Sequence, residues 1–239
     1  MKTVIIIGAS SGIGYELAKQ YKDRGWRLGL LARRVNQLAT LAEQAPKRIS
    51  YVGIDITQQN NTYEEFLKTF GNIDLIINSA GVGFMNPNLD LEKEMLTNKL
   101  NIDGFVSITN TTIHFLEEQG YGHYVNIGSM GALIGRAICP AYNASKAYQS
   151  NYIEAMRQRM YHKKLPINIT NILPGFMNTG TSKLAEGQKP FWMSSVNKAA
   201  YQIIRAITRK KYQVYITKRW GLIAWMVKLS PLWMRKRFK

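Results

Sequence analysis

Cysteine and histidine are scarce in this 239-residue chain, which contains one cysteine and three histidines. The single cysteine, Cys139, excludes an internal disulfide bond and any cysteine-based metal cluster. His114, His123 and His162 are scattered along the sequence without the spacing of metal ligands, so we expect no metal site. A chain without disulfides is typical of a reducing compartment, and we therefore expect a cytoplasmic protein.

Long hydrophobic runs are also missing from the sequence. A membrane-spanning helix needs about 20 predominantly apolar residues, and no uninterrupted apolar run approaches that length. The opening run, Val4 to Ile7, is shorter than the apolar core of a signal peptide and ends in a glycine turn, so we expect no secretory signal. The hydrophobic fraction of 46% is nevertheless enough for the core of one domain.

Acidic residues are few, since 15 aspartates and glutamates stand against 32 lysines and arginines, for a formal net charge of +17. Glu186 is the last acidic residue, and thirteen lysines and arginines follow it. Such a distribution indicates an anionic partner, either a membrane surface or a nucleic acid. The alternatives are a solvated basic face and a basic wall around an anionic cofactor. Because no recognisable nucleic-acid-binding motif is present, we do not expect a nucleic-acid partner.

Strand-like and helix-like segments alternate along most of the chain. Short apolar runs rich in β-branched residues predict seven strands, at 2–7, 27–32, 49–54, 73–77, 124–127, 167–173 and 213–217. Helical patterns lie between them, and the longest are at 90–119 and 141–162. This alternation predicts an α/β fold with a Rossmann-like, doubly wound, seven-stranded parallel sheet and helices on both faces.

Glycines and small polar residues collect at the ends of these strands. Ligands of open parallel sheets bind at the carboxyl ends of the strands, and six candidate residues lie at or just after such ends: Gly12, Ala32, Asp55, Asn78, Ser129 and Pro174. Residues 8–14 read Gly-Ala-Ser-Ser-Gly-Ile-Gly and lead from the first strand into a helix. This arrangement presents backbone N–H groups and the positive end of a helix dipole to a phosphate.

The end of the second strand bears on the choice of cofactor. Enzymes that prefer NAD tend to carry an acidic residue about 20 residues after the glycines, where it binds the ribose 2′-hydroxyl. This chain has Ala32 there, followed by Arg33 and Arg34. A guanidinium can pair with a 2′-phosphate, so the sequence favours NADP(H); the alternative is two ordinary cations at a helix start. Asp55 either reaches the adenine edge or caps the next helix.

Tyr142 and Lys146 are four residues apart at the start of a long predicted helix. At this spacing the ammonium can lie beneath the phenol, and a nearby cation lowers the pKa of a tyrosine from its usual value of about 10. Ser129, at the end of the preceding strand, can hold a carbonyl oxygen beside the phenol. Tyr15 and Lys19 have the same spacing without such a serine, so we interpret that pair as helix surface.

Asn101 and Gly104 lie inside the helical pattern at 90–119, although both residues are poor interior helix formers. Glycine alone costs roughly 0.8–1.0 kcal/mol relative to alanine in a helix interior. Two such residues together predict a local distortion of the helix that serves a site. The alternative is that Asn101 is an ordinary surface asparagine.

With these motifs in this order and spacing, the sequence resembles the short-chain dehydrogenase/reductase family over about residues 3–217. The matching motifs are Gly8-x-x-x-Gly12-x-Gly14, Asn78-x-Ala80-Gly81, Asn101, Ser129, Tyr142-x-x-x-Lys146 and Pro174-Gly175. There are two small departures, because Ile7 and Ser79 stand where a threonine and an asparagine are common. Neither departure lies in the set of residues that the resemblance makes catalytic.

The resemblance implies a catalytic tetrad of Asn101, Ser129, Tyr142 and Lys146. In the implied mechanism a nicotinamide passes hydride to a carbonyl carbon, and Tyr142 protonates the developing alkoxide as general acid. Lys146 lowers the tyrosine pKa and holds the nicotinamide ribose, Ser129 orients the carbonyl, and Asn101 holds a water that resupplies protons. The residues expected to contact NADP(H) are Gly8, Ser10, Ser11, Gly12, Ile13, Gly14, Arg33, Arg34, Asp55, Ile56, Asn78, Ala80, Gly81, Tyr142, Lys146, Pro174, Gly175, Met177 and Thr179.

We therefore predict an NADPH-dependent reductase of a small-molecule carbonyl, with a catalytic domain at residues 1–217. The alternatives are alcohol oxidation in the reverse direction and a redox-sensing module that binds NADP(H) without turnover. The substrate stays open, although a loop at 180–195 is expected to cover it. The resemblance also implies a homodimer or homotetramer formed through the two long helices.

Residues 218–239 lie outside the resemblance, and we expect a basic, amphipathic extension packed on or beside the catalytic domain. Ser230 and Pro231 are typical of a helix start, so we predict two short helices, at 219–229 and 231–238. Tryptophan and leucine among cations are typical of an interfacial helix. That composition indicates peripheral contact with an anionic membrane and an apolar or lipid-like substrate. The alternative is that the apolar residues cover the substrate pocket or a subunit interface.

Overall fold

A seven-stranded parallel sheet forms the centre of the computed structural model, which describes residues 1–58, 61–177 and 194–231. The strands are β1 Thr3–Ile7, β2 Arg27–Ala32, β3 Ile49–Gly53, β4 Leu75–Asn78, β5 Gly122–Ile127, β6 Ile167–Pro174 and β7 Gln213–Ile216. Their order is β3-β2-β1-β4-β5-β6-β7. The predicted doubly wound sheet is therefore confirmed, and its topological switch point lies between β1 and β4, where such sheets bind ligands.

The residues of β1 show why the sheet is buried on both faces. Successive side chains of a strand point to opposite faces, and here Val4 and Ile6 join one core while Ile5 and Ile7 join the other. All four are at most 1% exposed. A run of β-branched residues without polar alternation is what a central parallel strand requires.

Helices cover both faces of the sheet. They are α1 Gly12–Asp23, α2 Asn36–Glu43, α3 Thr62–Lys68, α4 Leu91–Asn98, α5 Phe105–Gln119, α6 Pro140–His162, α7 Val196–Thr208 and α8 Lys218–Leu229. Apolar side chains of α1, α2 and α7 fill one core, and those of α3, α5 and α6 fill the other. Most element boundaries agree with the sequence-based ones to within two residues.

The helix predicted at 90–119 is interrupted. A π-helical turn at Lys99–Gly104 separates α4 from α5, so the expectation of a distortion around Asn101 is confirmed and the expectation of one continuous helix is wrong. Gly104 shows the physical reason, because a Cβ there would lie 2.9 Å from Cγ1 of Ile56 and 3.0 Å from its carbonyl oxygen. The widened turn lets the helix backbone approach the segment after β3.

The C-terminal helix α8 packs on the sheet by one face only. Trp220, Ala224 and Val227 are buried, and the Trp220 ring meets Phe176 edge-on with centroids 5.7 Å apart. A second apolar set on α8 points outward and is 50–64% exposed, namely Leu222, Trp225, Met226 and Leu229. Within the described residues, no helix is long and apolar enough to cross a membrane. The helix predicted at 231–238 falls outside the described part of the chain, apart from Pro231.

Candidate functional site

The glycine turn between β1 and α1 lies at the switch point of the sheet. Gly8 and Gly12 have positive φ angles of 79° and 57°, a conformation that favours glycine. A Cβ on Gly8 would lie 2.7 Å from the backbone nitrogen of Ala80 at the end of β4. A Cβ on Gly14 would collide with the carbonyl oxygen of Gly8. The turn is therefore compact, and it brings the first N–H groups of α1 to the sheet edge where a phosphate can bind.

Arg34 lies over this turn. Its Nη2 donates hydrogen bonds to Oγ of Ser11 at 2.8 Å and to Oγ of Ser10 at 3.4 Å. Both arginines after β2, Arg33 and Arg34, are exposed. The structure thus brings the guanidinium of Arg34 and two hydroxyls together at the place where the sequence predicts a cofactor 2′-phosphate.

Asp55 belongs to a local turn after β3. Its Oδ1 accepts hydrogen bonds from the backbone nitrogen and the hydroxyl of Thr57, at 3.0 and 2.8 Å. The bond from the Thr57 backbone lowers the pKa of the Asp55 carboxyl, and the charges of Arg33 and Lys99 lower it further. Because α3 begins at Thr62, Asp55 caps this turn rather than the following helix. Its contact with adenine stays a prediction.

Tyr142 lies in the first turn of α6, and its side chain meets Ser129. The Ser129 hydroxyl lies close enough to the phenol to lower its pKa, and Ser129 Oγ accepts a hydrogen bond from the backbone nitrogen of Gly131 at 3.0 Å. A Cβ on Gly131 would lie 3.3 Å both from Ser129 Oγ and from Cε1 of Tyr142. The glycine therefore leaves the gap through which serine and tyrosine approach each other, as the sequence predicts.

The start of α6 is held by α4. Glu94 Oε2 accepts a hydrogen bond from the backbone nitrogen of Ala141 at 2.9 Å, which satisfies one of the unpaired N–H groups of a helix start. The other carboxylate oxygen accepts a bond from Nδ2 of Asn86 at 2.6 Å. This contact fixes the turn that carries Tyr142. Sequence reasoning missed Glu94, because its partner is 47 residues away.

Lys146 is buried one helical turn after Tyr142. Its Nζ donates to Oε1 of Gln149 at 2.9 Å and to the carbonyl oxygen of Ile127 at 3.4 Å. Burial lowers the pKa of Lys146 to about 8. Burial also raises the pKa of the Tyr142 phenol, and the Ser129 hydroxyl opposes that shift only in part. The direction differs from the sequence-based expectation, because burial outweighs the groups that lower the tyrosine pKa.

Asn101 is fully buried in the π-helical turn, which excludes the alternative of a surface asparagine. Its side chain bonds both backbone polar groups of Val82, with Oδ1 accepting at 2.9 Å and Nδ2 donating at 2.7 Å. Nδ2 also donates to Oγ of Ser145 on α6 at 3.0 Å. A Cβ on Gly81 would lie 3.2 Å from Lys146 Nζ and 3.3 Å from Asn101 Oδ1. The end of β4, the π-helical turn and α6 therefore meet at one point.

The ends of β4 and β6 carry the remaining described motif residues. Asn78 Oδ1 accepts a hydrogen bond from the backbone nitrogen of Ala80 at 3.1 Å, which turns the chain after β4. Pro174 ends β6, and the nitrogen of Gly175 donates to the carbonyl oxygen of Ile216 at 2.7 Å. The indole of Trp220 covers Gly175 so closely that no Cβ would fit, so α8 touches the predicted cofactor motif.

Ile13, Ile56 and Met177 are predicted cofactor contacts whose apolar side chains are buried. Ile13 belongs to the core around α1, Ile56 to the core on the opposite face, and Met177 is also buried. These residues can offer backbone atoms rather than side chains to a ligand. Thr179 and most of the predicted substrate loop at 180–195 lie outside the described residues.

His123 has a structural role in the sheet. His123 lies in β5, and its Nε2 is 2.8 Å from Oγ1 of Thr170 on β6. Burial lowers the pKa of His123 to about 4, so the ring is neutral near pH 7. Among the described residues no group of three histidine, cysteine, aspartate or glutamate side chains could hold a metal ion.

Known proteins are similar to this chain in sequence. A family model described as short chain dehydrogenase matches residues 2–189. The chain is 29% identical to the 11-beta-hydroxysteroid dehydrogenase 1A of Arabidopsis thaliana, over 97% of this chain and 71% of that protein. It is 27% identical to a 3-oxoacyl-[acyl-carrier-protein] reductase of Bos taurus, over 76% of this chain and 78% of that protein.

Solved structures share the fold over almost the whole chain. A short chain dehydrogenase from Burkholderia cenocepacia in complex with NADP has a TM-score of 0.83 and 23% identity, covering 99% of this chain and 98% of that one. The bulky-bulky ketone specific alcohol dehydrogenase from Comamonas testosteroni has a TM-score of 0.77 and 22% identity, covering 100% and 95%. At these identities the similarity establishes the fold but does not identify the substrate.

Proposed function

The chain belongs to the short-chain dehydrogenase family, and we propose that it is an NADPH-dependent reductase that transfers hydride to the carbonyl carbon of a small molecule. The observation that carries the proposal is the approach of the Ser129 hydroxyl and the Tyr142 ring on either side of Gly131, one helical turn before the buried Lys146. NADPH, when bound, supplies the hydride. The chain's own residues then bind the phosphates, orient the carbonyl and deliver one proton.

The described residues fit NADP(H). Gly8, Gly14 and Gly81 are packed so tightly that a side chain would fill the cradle between the glycine turn and the end of β4. The guanidinium of Arg34, which bonds Ser11 at 2.8 Å, can exchange that bond for a charge-assisted one to a 2′-phosphate. That exchange supports a preference for NADPH over NADH, as does the similar Burkholderia cenocepacia structure in complex with NADP.

Tyr142 is the proton donor in this proposal. Burial raises the pKa of its phenol, so the hydroxyl is protonated at pH 7 and has a proton to give to the developing alkoxide. The Ser129 hydroxyl orients the carbonyl oxygen beside it. The ammonium of Lys146 stabilises the phenolate that remains after proton transfer.

The direction of the reaction follows in this proposal from the choice of cofactor, because NADPH serves mainly as a hydride donor in cells. Reduction needs a proton donor at the position of Tyr142, whereas alcohol oxidation needs the phenolate as a base. Alcohol oxidation is the second candidate, and a module that binds NADP(H) without turnover would have no use for a serine and a tyrosine side by side near a buried lysine.

An apolar carbonyl compound is the substrate class that we propose. The similar proteins are named for a hydroxysteroid, a 3-oxoacyl thioester and a bulky ketone, which share a carbonyl or alcohol group on an apolar frame. The test is NADPH consumption with a panel of ketones, aldehydes and 3-oxoacyl thioesters. We expect turnover of at least one apolar ketone and slower turnover with NADH. Tight NADPH binding without turnover of any compound would favour the redox-sensing alternative.

The outward face of α8 supports contact with an anionic lipid surface. Leu222, Trp225, Met226 and Leu229 follow the i, i+3, i+4, i+7 spacing of one helix face and are exposed. The sequence after Glu186 adds thirteen cations and no acid, which complements anionic headgroups. A surface-bound enzyme would receive apolar substrates from the bilayer. This contact is part of our proposal for the extension at 218–239.

A homodimer or homotetramer through α5 and α6 completes the proposal, as the family resemblance implies. Tyr148 on α6 is 40% exposed and stacks on Tyr152, with ring centroids 5.9 Å apart. Such an aromatic surface is typical of protein interfaces. Sedimentation velocity at several protein concentrations tests this assembly, and a monomer throughout would contradict it.

A further inference from the structure

Gln149 connects two members of the predicted tetrad directly. Its Oε1 accepts a hydrogen bond from Lys146 Nζ at 2.9 Å, and its Nε2 donates one to the backbone carbonyl oxygen of Asn101 at 2.8 Å. The side chain is 1% exposed. The amide orientation is unambiguous, because an ammonium can only donate and a carbonyl oxygen can only accept.

The bridge engages the residue to which the family resemblance assigns a bound water. By that resemblance, Asn101 holds a water that resupplies protons. Here the Asn101 carbonyl accepts the Gln149 amide, and the Asn101 side chain bonds Val82 and Ser145. The backbone carbonyl and the side-chain amide of Asn101 therefore both have protein partners.

We propose that Gln149 is a positioning residue that fixes the Lys146 ammonium by a direct side-chain bridge to the Asn101 carbonyl, in place of a water. The lysine then has two acceptors, Gln149 Oε1 and the Ile127 carbonyl oxygen. A third N–H remains for groups that bind on the reaction side, since an ammonium has three donors. The kinetic part of this inference rests on the proposed reductase function, and the titration of Lys146 does not.

The surroundings of Lys146 make its titration a sensitive measure of the bridge. The segment after β4 contributes Gly81, the π-helical turn contributes Asn101, and β5 contributes the Ile127 carbonyl. Tyr142 is the titratable neighbour on the same helix. Burial is the cause of the lowered lysine pKa, with no charged partner among the described residues. An uncharged acceptor such as Gln149 therefore has a large share in keeping the ammonium protonated.

Two substitutions at residue 149 separate positioning from packing. Gln149→Met keeps the length of the side chain and removes the acceptor, so the pKa of Lys146 should fall by about one pH unit or more. Gln149→Glu keeps the acceptor and adds a negative charge, so the pKa should rise by about one unit or more. A role in packing alone would not shift the pKa in opposite directions.

The experiment is an NMR titration of the full-length protein with ¹³Cε-labelled lysine. The Lys146 signal is identified by its loss in Lys146→Met, and Asn151→Met serves as the control because Asn151 is exposed on the same helix. We expect opposite shifts in the two Gln149 variants and none in the control. If Gln149→Met does not fold, the upward shift in Gln149→Glu decides alone. If Lys146 titrates with its wild-type pKa in the folded Gln149 variants, the proposal is wrong.

The pH profile of kcat distinguishes this inference from the proposed function. The loss of activity at alkaline pH should move downward in Gln149→Met and upward in Gln149→Glu, with KM for the carbonyl little changed. A wild-type protein without any carbonyl turnover would contradict the reductase while the titration still tests Gln149. If both Gln149 variants turn over normally and their pH profiles of kcat match that of the wild type, the role of Gln149 is contradicted. The proposed reductase function is then unaffected.

Discussion

The ring of Tyr142 lies against the backbone of Gly83, so closely that a Cβ on residue 83 would be 2.7 Å from Cδ2 of the tyrosine. The chain after β4 thus forms one wall of the tyrosine site, and Asn101 fixes that wall through its bonds to Val82. The phenol can occupy this position only because residue 83 is a glycine and has no side chain.

Gly83→Ala should impair catalysis more than folding. The added methyl group pushes the Tyr142 ring from its place beside Ser129, and a displacement of about 1 Å can cost on the order of a hundredfold in rate. We expect kcat to fall at least tenfold, with a loss of unfolding free energy below about 2 kcal/mol. Gly135→Ala is the matched control, since no atom lies within 4 Å of a Cβ there. Equal activities of the two variants would contradict this account of Gly83.

Arg33→Ala and Arg34→Ala should each raise the KM for NADPH more than the KM for NADH. Only NADPH carries the 2′-phosphate, and a hydrogen bond to a charged group contributes about 1.5–3 kcal/mol, which corresponds to roughly tenfold or more in KM. Lys47→Ala controls for the loss of one exposed positive charge elsewhere on the surface. Equal effects on both cofactors would show that neither arginine selects the phosphate.

Glu117→Gln should destabilise the fold at neutral pH and lose its effect in acid. The hydrogen bond from Arg159, with a second bond from Lys163, lowers the pKa of Glu117 to about 2. A depressed carboxyl pKa stabilises the folded state above the unfolded value of about 4.3 and loses that contribution as the pH falls through about 2. Because both cations are partly exposed, we expect only about 1 kcal/mol at pH 7.

Urea unfolding at pH 7 and at pH 2–3 measures this difference. The exposed neighbour Glu118 provides the control, because Glu118→Gln removes the same charge without breaking the contact between α5 and α6. If Glu117→Gln is destabilised as much at pH 2–3 as at pH 7, its loss of unfolding free energy does not come from the ion pairs with Arg159 and Lys163.

Trp225→Ser and Leu222→Ser should weaken binding to anionic vesicles at least tenfold, because each removes apolar area that would enter the interface. Co-sedimentation with vesicles that contain phosphatidylserine measures the effect, and vesicles of phosphatidylcholine alone show its dependence on charge. Tyr161→Ser is the matched control, since Tyr161 is an 81% exposed aromatic residue on another helix. Absence of lipid-dependent pelleting in the wild type would favour a packing role for α8.

The sheet and most of the site were predictable because their signals are local. The run from Val4 to Ile7 predicts a strand buried on both faces, and the glycines after it predict the compact turn. Tyr142 and Ser129 follow from helix spacing and from a strand end. The interruption around Asn101 was predictable as a distortion, because two poor helix formers stand together, but its π-helical form depends on how closely Gly104 approaches Ile56.

The remaining features depend on contacts between distant segments. Gln149 reaches a carbonyl 48 residues earlier in the chain, and its only local signal is a polar side chain three residues after Lys146, on the same helix face. The direction of the tyrosine pKa could not be predicted either, because it is set by the degree of burial. The spacing of Tyr142 and Lys146 reveals their proximity along the helix but not how far water is excluded from the phenol.

Tyr142→Phe tests the central claim most directly. The substitution removes the one hydroxyl that donates the proton and leaves the ring that packs on Gly83, so the glycine cradle and Arg34 keep their geometry. NADPH binding by fluorescence titration and NADPH-dependent reduction of an apolar ketone should be measured on the same preparation. The account predicts a Kd for NADPH within about twofold of wild type and a loss of turnover of at least about a thousandfold. Near-normal turnover in this variant would contradict the assignment of Tyr142 as the proton donor.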